Sequence, residues 1–462
     1  MSSEKDNNTK LETDGGESYE RSRIYRWFDD RLGLQDSFLG KAFPEDKYSS
    51  FLLGEISLFS FVILVLSGTF LGIFYTPGKG TVEYKGSAAK FAGKDVHMAF
   101  ESVLRITYDI PMGMFVRMVH HWASYLFIAA MGLHIIRVFF SGSYRNPREL
   151  NWMVGAGIFL ITLVEGFLGY ALPFDNFSAA ATRIGFEIAG SIPFIGNPLK
   201  LLVFGGEWPG NANVILPRMF FYHVFLVPLI IGGLIGLHMF LLIRQKHTEQ
   251  KGNRDEGMDV DKDDEDTVTG IPMFPNQVNV MLAVFMTVLG VLSLLAALFP
   301  VQRIILAGPS DPSKGINNPA PDWYLNWVFG SLKMGQTVFG LPEWIAAVLV
   351  PSIIVAVFVF WPFIDYSKKP VHFTADPIKR PKVTAFGVGA LTLILTLNWA
   401  GMNTHFSWWL LGPKTADVMP IITPFILILP PLWTAITYYV LKKGQERREK
   451  ESSVETGGEP SD

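Results

Sequence analysis

Seven stretches of this chain are long enough to cross a bilayer and carry no charged side chain: Ile56–Gly78, Met118–Ile136, Met219–Ile243, Ile271–Gln302, Trp344–Ile364, Val383–Pro413 and Val418–Leu441. An eighth, Trp152–Leu172, is interrupted only by Glu165. About 20 apolar residues span the hydrocarbon, where a helix satisfies its own backbone groups. The eight runs therefore predict an all-α integral membrane protein of about eight transmembrane helices. Composition agrees, because only 18% of the residues are charged, against about 25% in soluble domains. A net charge of −3 offers nothing to attract nucleic acid.

Basic residues place the loops. Arg145 and Arg148, Arg244 and Lys246, Lys368 to Lys382, and Lys442 to Arg448 follow every second span, which predicts that those loops and both termini are cytoplasmic. The opposite loops, 79–111, 173–217 and 303–340, are long, as binding loops commonly are. No short apolar signal core precedes the first span, so that span is expected to direct insertion into a prokaryotic cell membrane. Residues 251–270 hold eight acids and three bases and read as a solvated linker. The expected divisions are a cytoplasmic tail with an amphipathic helix (1–50), a four-helix domain (51–250), the linker (251–270), a second four-helix domain (271–443) and a polar, disordered tail (444–462).

Of the nine histidines, four fall inside spans: His120 and His134 on the second, His223 and His238 on the fourth. Ionisable groups at that depth mark function. Fourteen residues make about 3.9 helical turns, so His120 and His134 share a face about 21 Å apart along the axis. His223 and His238, fifteen apart, nearly do the same at about 22 Å. Spans two and four run in the same direction, which predicts two bis-imidazole sites stacked across the membrane, a pattern suited to haem iron. Gly54 and Gly68 on the first span, and Gly155 and Gly169 on the third, repeat the fourteen-residue spacing. They offer bare backbone where something flat approaches, implying a four-helix di-haem bundle. Arg117 and Arg137 stand three residues outside the first histidine pair, within reach of propionates. His121 falls on the opposite face and reads as an interface histidine. His97, His247, His372 and His405 read as solvated.

Arg117, His120, His134 and Arg137 form the pattern R-x-x-H-(x13)-H-x-x-R, which resembles cytochrome b of the quinol-oxidising cytochrome bc family. Further stretches strengthen the resemblance: IYRWFDDRLGLQ at 24–35 with the amphipathic entry helix, GSYRNPRELNW at 142–152 with the loop after span two, and GYALPFD at 169–175 and SIPFIGNPL at 191–199 with outer segments. It covers most of residues 24–365. The fifteen-residue gap between His223 and His238 is similar to the photosynthetic-type subunit, and the second half resembles that complex's subunit IV, with the acidic linker where those two chains divide. Pro321-Asp322-Trp323-Tyr324 stands where the family carries Pro-Glu-Trp-Tyr in its quinol-oxidising pocket, and aspartate there shortens the acid by one methylene. Leu341-Pro342-Glu343-Trp344 has the glutamate but lacks the tyrosine and reads as a helix start. Leu52 stands where photosynthetic-type subunits carry a haem-tethering cysteine, and the chain has no cysteine.

The resemblance implies two non-covalent b-type haems, with His120 and His223 on the outer iron and His134 and His238 on the inner. It implies quinol oxidation near Asp322 and Tyr324, with Asp322 taking a proton. One electron would go to a Rieske iron–sulfur partner and onward to a cytochrome c or copper-protein acceptor. The other would cross both haems to a quinone near the cytoplasmic surface, where Arg244, Asn276 and Gln277 lie at a suitable depth. It also implies proton translocation and a homodimeric complex. The residues alone leave two rivals open: a di-haem membrane anchor feeding a peripheral reductase, and a haem-free transporter with a histidine proton relay.

Overall fold

A computed structural model describes residues 42–44, 52–206, 212–245, 270–311, 321–368, 371, 374, 376–402 and 419–456. The amphipathic stretch 24–35, nearly all of the acidic linker, and His247, His372 and His405 lie outside the described residues. The helices are α1 (Leu53–Phe74), α2 (Met98–Tyr108), α3 (Gly113–Ser141), α4 (Glu149–Ala171), α5 (Asn176–Ser191), α6 (Asn213–Leu242), α7 (Val278–Leu298), α8 (Asn326–Thr337), α9 (Ile345–Val359), α10 (Pro381–Gly401) and α11 (Met419–Ser452). Extended structure among the described residues is confined to short antiparallel pairs, Ala42–Pro44 with Gly270–Pro272 and Thr81–Glu83 with Asp95–His97. The protein is an all-α membrane protein.

Seven of the helices among the described residues, rather than eight, have the length and apolarity to cross a membrane alone. The exception is the run Trp344–Ile364, whose helix α9 breaks at Phe360 before a final turn at Trp361–Ile364. Proline explains the break: Pro362 has no N–H for the carbonyl of Phe358, and its ring crowds that carbonyl. The freed oxygen accepts instead from the Trp152 indole, 2.9 Å away on α4. Leu341–Trp344 does begin a helix, with the amides of Ile345 and Ala346 both donating to the Pro342 carbonyl. At the other end of the chain, the expected disordered tail is helical as far as Thr456. Its Gln, Glu, Arg and Lys residues are good helix formers, and Glu446 and Lys450 are spaced to pair.

Two packing centres hold the spans around the histidines. Phe127 of α3, Ile158 and Leu168 of α4, and Met219 and Ile231 of α6 share one core. Ile63 of α1, Met118 of α3, and Val288 and Leu292 of α7 share another, so α7 joins the first four spans directly. The long loops at one end of the bundle are tied together. Asn176 on α5 donates to the Ala307 carbonyl and accepts from the Asp311 amide. Asp175 caps α5 through a reciprocal pair of hydrogen bonds with Ser178. His97, expected to be solvated, is half-buried against Phe174. Its Nδ1 and Nε2 face the carbonyls of Lys79 and Ser310 at 2.9 and 3.1 Å, a fold-level contact that its local sequence does not disclose.

Candidate functional site

The four span histidines come together as two pairs. His120 of α3 meets His223 of α6, with ring centroids 6.1 Å apart and planes at 83°. One end of α3 and α6 thus holds this pair, and about four turns further along lie His134 and His238, close enough to feel one another's charge. The fifteen-residue spacing on α6 has a local cause. His223 sits in a π-helical turn, Tyr222–Leu226, and a π-turn absorbs one residue beyond the α repeat. Pro228 follows and withholds the N–H that would close an α bond to Val224. After that correction fifteen residues span what fourteen do on α3, and the two pairs face each other in register.

Each histidine is backed by one of the four spaced glycines. A Cβ on Gly169 would lie 2.5 Å from His223 Cε1, one on Gly68 3.1 Å from His120 Cε1, one on Gly155 3.3 Å from His238 Cε1, and one on Gly54 3.8 Å from His134 Cε1. The bare backbone therefore receives an imidazole edge in every case. Ser67 donates to the Ile63 carbonyl at 2.6 Å and sits 2.9 Å from His120 Nδ1. With its hydrogen on that carbonyl, Ser67 offers Nδ1 a lone pair, an arrangement that favours the Nδ1–H tautomer and leaves Nε2 its own lone pair. His134 Nδ1 is buried without a hydrogen-bond partner.

Between His120 and His223 lies a cavity of about 240 Å³ lined mostly by apolar side chains, with Arg117, His121, Glu165 and Gln302 also on its wall. A metal held by two imidazole nitrogens at about 2 Å each needs roughly 4 Å between them, and rings 6.1 Å apart at their centres leave that room. Arg117 is almost unmatched by protein: its Nε is buried without a partner and its terminal nitrogens reach the Gln302 carbonyl only at 3.4 and 3.5 Å. A buried guanidinium of this kind suits an anionic group entering the cavity. The residues fit a haem with two axial imidazoles and a propionate on Arg117. Arg137 lies one turn beyond His134 and within its electrostatic reach. His121, read from sequence as an interface residue, lines the same cavity, with Nε2 buried and unbonded and its ring edge-on to Tyr125.

Asp322 and Tyr324 sit against α3 and α4, close to this cavity. Tyr125 on α3 donates to Asp322 Oδ1 at 2.8 Å. Burial pushes the Asp322 carboxyl above the usual carboxylate range, and the Tyr125 hydrogen bond opposes that rise. Tyr324 packs with Ile128 and Leu163, its hydroxyl over Gly166, where a Cβ would come within 2.5 Å. Burial likewise pushes its hydroxyl well up. Two partners escape a sequence reading. Tyr125 looks like one more aromatic in an apolar run, and Glu165 like an interruption, yet Glu165 Oε1 lies 2.8 Å from His223 Nδ1.

Known proteins are similar to this chain. A family model described as cytochrome b(N-terminal)/b6/petB matches residues 125–309. The cytochrome bc1 complex cytochrome b subunit of Streptomyces coelicolor is 33% identical over 404 residues, covering 83% of this chain and 72% of that protein. The subunit of the same name from Corynebacterium diphtheriae is 32% identical, covering 91% of this chain and 77% of its own. That of Mycobacterium tuberculosis is 33% identical, covering 91% and 76%. Among solved structures, a chain of a hyperthermophilic respiratory Complex III superposes with a TM-score of 0.65 at 22% identity, over 90% of this chain and all of that one, a likeness of fold.

Proposed function

Because the chain belongs to the cytochrome b subunits of cytochrome bc1 complexes, we propose that it oxidises quinol at the His120–His223 end of the bundle. In this reading residues 51–250 form the di-haem domain, residues 271–443 bring the quinol-site loop, and both termini face the cytoplasm. The observation that carries it is the doubled constellation of two facing histidines, each backed by a glycine on a neighbouring helix.

His120 and His223 would hold the outer haem iron, His134 and His238 the inner, with Arg117 and Arg137 on the propionates. When bound, the haems supply one-electron carriers at two depths of the membrane, leading to a quinone near the cytoplasmic surface. The protein's own residues bind the quinol and move its protons. Asp322, half-buried and raised, accepts a proton from one quinol hydroxyl, and Tyr125 holds its carboxylate in place. Tyr324 closes the pocket against Gly166 and keeps water out. Two protons and two electrons leave each quinol. One electron goes to a Rieske iron–sulfur partner, since a chain without cysteine offers a cluster no thiolate, and from there to a cytochrome c or copper-protein acceptor. Releasing the protons outside and consuming others at the cytoplasmic quinone site would translocate charge in a homodimeric complex.

A reduced-minus-oxidised spectrum of the purified complex tests the reading. Two b-type haems and a co-purifying Rieske protein are expected. A folded preparation without haem would leave the histidine-relay transporter, and a di-haem protein that never associates with a Rieske partner would leave the reductase anchor.

A further inference from the structure

Each histidine pair carries two ligand-type rings and the same glycine spacing, yet their surroundings differ in one chemical respect. Glu165 of α4 puts Oε1 2.8 Å from His223 Nδ1, with both side chains largely buried, 15% and 17% exposed. Its other oxygen is buried without a partner. A carboxylate at this depth in a span is costly unless something uses it. Glu165 stands one turn before Gly169, whose missing side chain lets the His223 ring lie against α4. The glycine and the acid thus grip one imidazole, at Cε1 and at Nδ1. The two atoms are in close contact, although their hydrogen-bond alignment is imperfect.

Nothing equivalent is found at the other three histidines. His120 Nδ1 has the neutral Ser67 hydroxyl, and His134 Nδ1 and His238 Nδ1, which like His223 Nδ1 are buried without an aligned hydrogen bond, have no carboxylate in ion-pair contact among the described residues. Among the described residues, His223 is the one histidine in contact with a carboxylate. A carboxylate can only accept, so this contact favours the imidazole proton on Nδ1, which leaves Nε2 as the ligand atom. Such a partner fixes the ring's orientation and makes the nitrogen a stronger donor. Stronger donation favours the more positive, oxidised iron.

We propose that Glu165 is a positioning residue that holds His223 by Nδ1 and lowers the reduction potential of the haem at the His120–His223 site. The inference rests on the haem assignment made above.

The test is a redox titration of both haems in the intact complex carrying Glu165→Gln, which keeps an acceptor oxygen but removes the charge. The reduction equilibrium of the first-site haem is expected to move at least tenfold toward the reduced form, about 59 mV for a one-electron couple, with the second haem unmoved. Unchanged potentials with both haems present would overturn the proposal and point to a purely structural contact between α4 and α6. If Glu165→Gln sheds the first haem, Glu165→Asp decides: retention by the shorter carboxylate supports the proposal, and loss from both variants overturns it. A first-site haem retained by His223→Ala would instead overturn the ligand assignment, an outcome distinct from any result at Glu165.

Discussion

The four glycines predict a graded series that other membrane helices would not show. Gly169→Ala places a methyl group 2.5 Å from His223 Cε1 and 3.0 Å from Nε2, and the ring has little freedom to retreat, being faced by Glu165 at Nδ1 and by His120 across the cavity. Overpacking of this kind costs about 1–3 kcal/mol, from which roughly 1 kcal/mol is offset because alanine is the better helix former. The net loss of about 0–2 kcal/mol corresponds to up to roughly 30-fold weaker retention of the group that His223 holds. Gly54→Ala meets His134 only at 3.8 Å, an ordinary contact, so the helix-propensity gain remains and the variant should be neutral or slightly stabilised. Gly68→Ala and Gly155→Ala, at 3.1 and 3.3 Å, fall between. The assay is the haem-to-protein ratio of each purified variant, read from the reduced-minus-oxidised absorbance. Equal loss from Gly54→Ala and Gly169→Ala would refute the reasoning, because the glycines would then matter as generic small residues and not as seats for particular rings.

Further outcomes follow from the quinol-site loop and the broken span. Asp322→Asn should slow quinol oxidation severely while both haems remain, measured by steady-state turnover beside the haem spectrum. The same variant should raise the thermal midpoint at neutral pH: a carboxyl whose folded value lies above its unfolded one opposes folding as pH rises past the unfolded range, and asparagine removes that penalty. Tyr125→Phe deletes the hydrogen bond that favours the Asp322 carboxylate, so the alkaline-going rise in oxidation rate should shift to higher pH; an unmoved profile would take Asp322 out of the proton path. Trp152→Phe strips the Phe358 carbonyl of its one replacement partner and should cost about 1–3 kcal/mol, visible as a lower thermal midpoint of the purified complex.

Charge-free runs reveal spans because a charge in hydrocarbon is costly whatever its neighbours, and the histidine and glycine spacings are legible because helical periodicity is local. Most of the departures involve partners distant in sequence. Pro362 announces a break, but only the fold supplies Trp152 to the carbonyl it frees. His223 and His238 look one residue out of phase until the π-turn at Tyr222–Leu226 absorbs the difference. Nothing around His97 predicts that two loop carbonyls from positions 79 and 310 will face its ring nitrogens. Tyr125 and Glu165 are the strongest instance: one reads as bulk and the other as a flaw in a span, and each acquires meaning only when the chain brings Asp322 or His223 to it.

That dependence also explains how the two halves must be joined. The Tyr125–Asp322 hydrogen bond is made between α3 and a loop that follows α7, so its geometry survives only if the second half cannot slide along the first. Just beyond the C-terminal end of α3 the halves are locked by polar groups. Tyr144 accepts from the Trp361 indole at 2.7 Å and from Arg380 at 2.8 Å, and donates to Asp365 at 2.6 Å, while Arg380 also contacts Asp365. Trp152 reaches Phe358 close by. Apolar contact between α7 and α1 or α3 resists separation but tolerates sliding, because dispersion is not directional. Directional bonds set the register. Hydrogen bonds fixed just beyond one end of α3 therefore help hold the position of an acid near its middle, and the polar residues that a membrane protein can least easily bury are spent where the two halves have to agree.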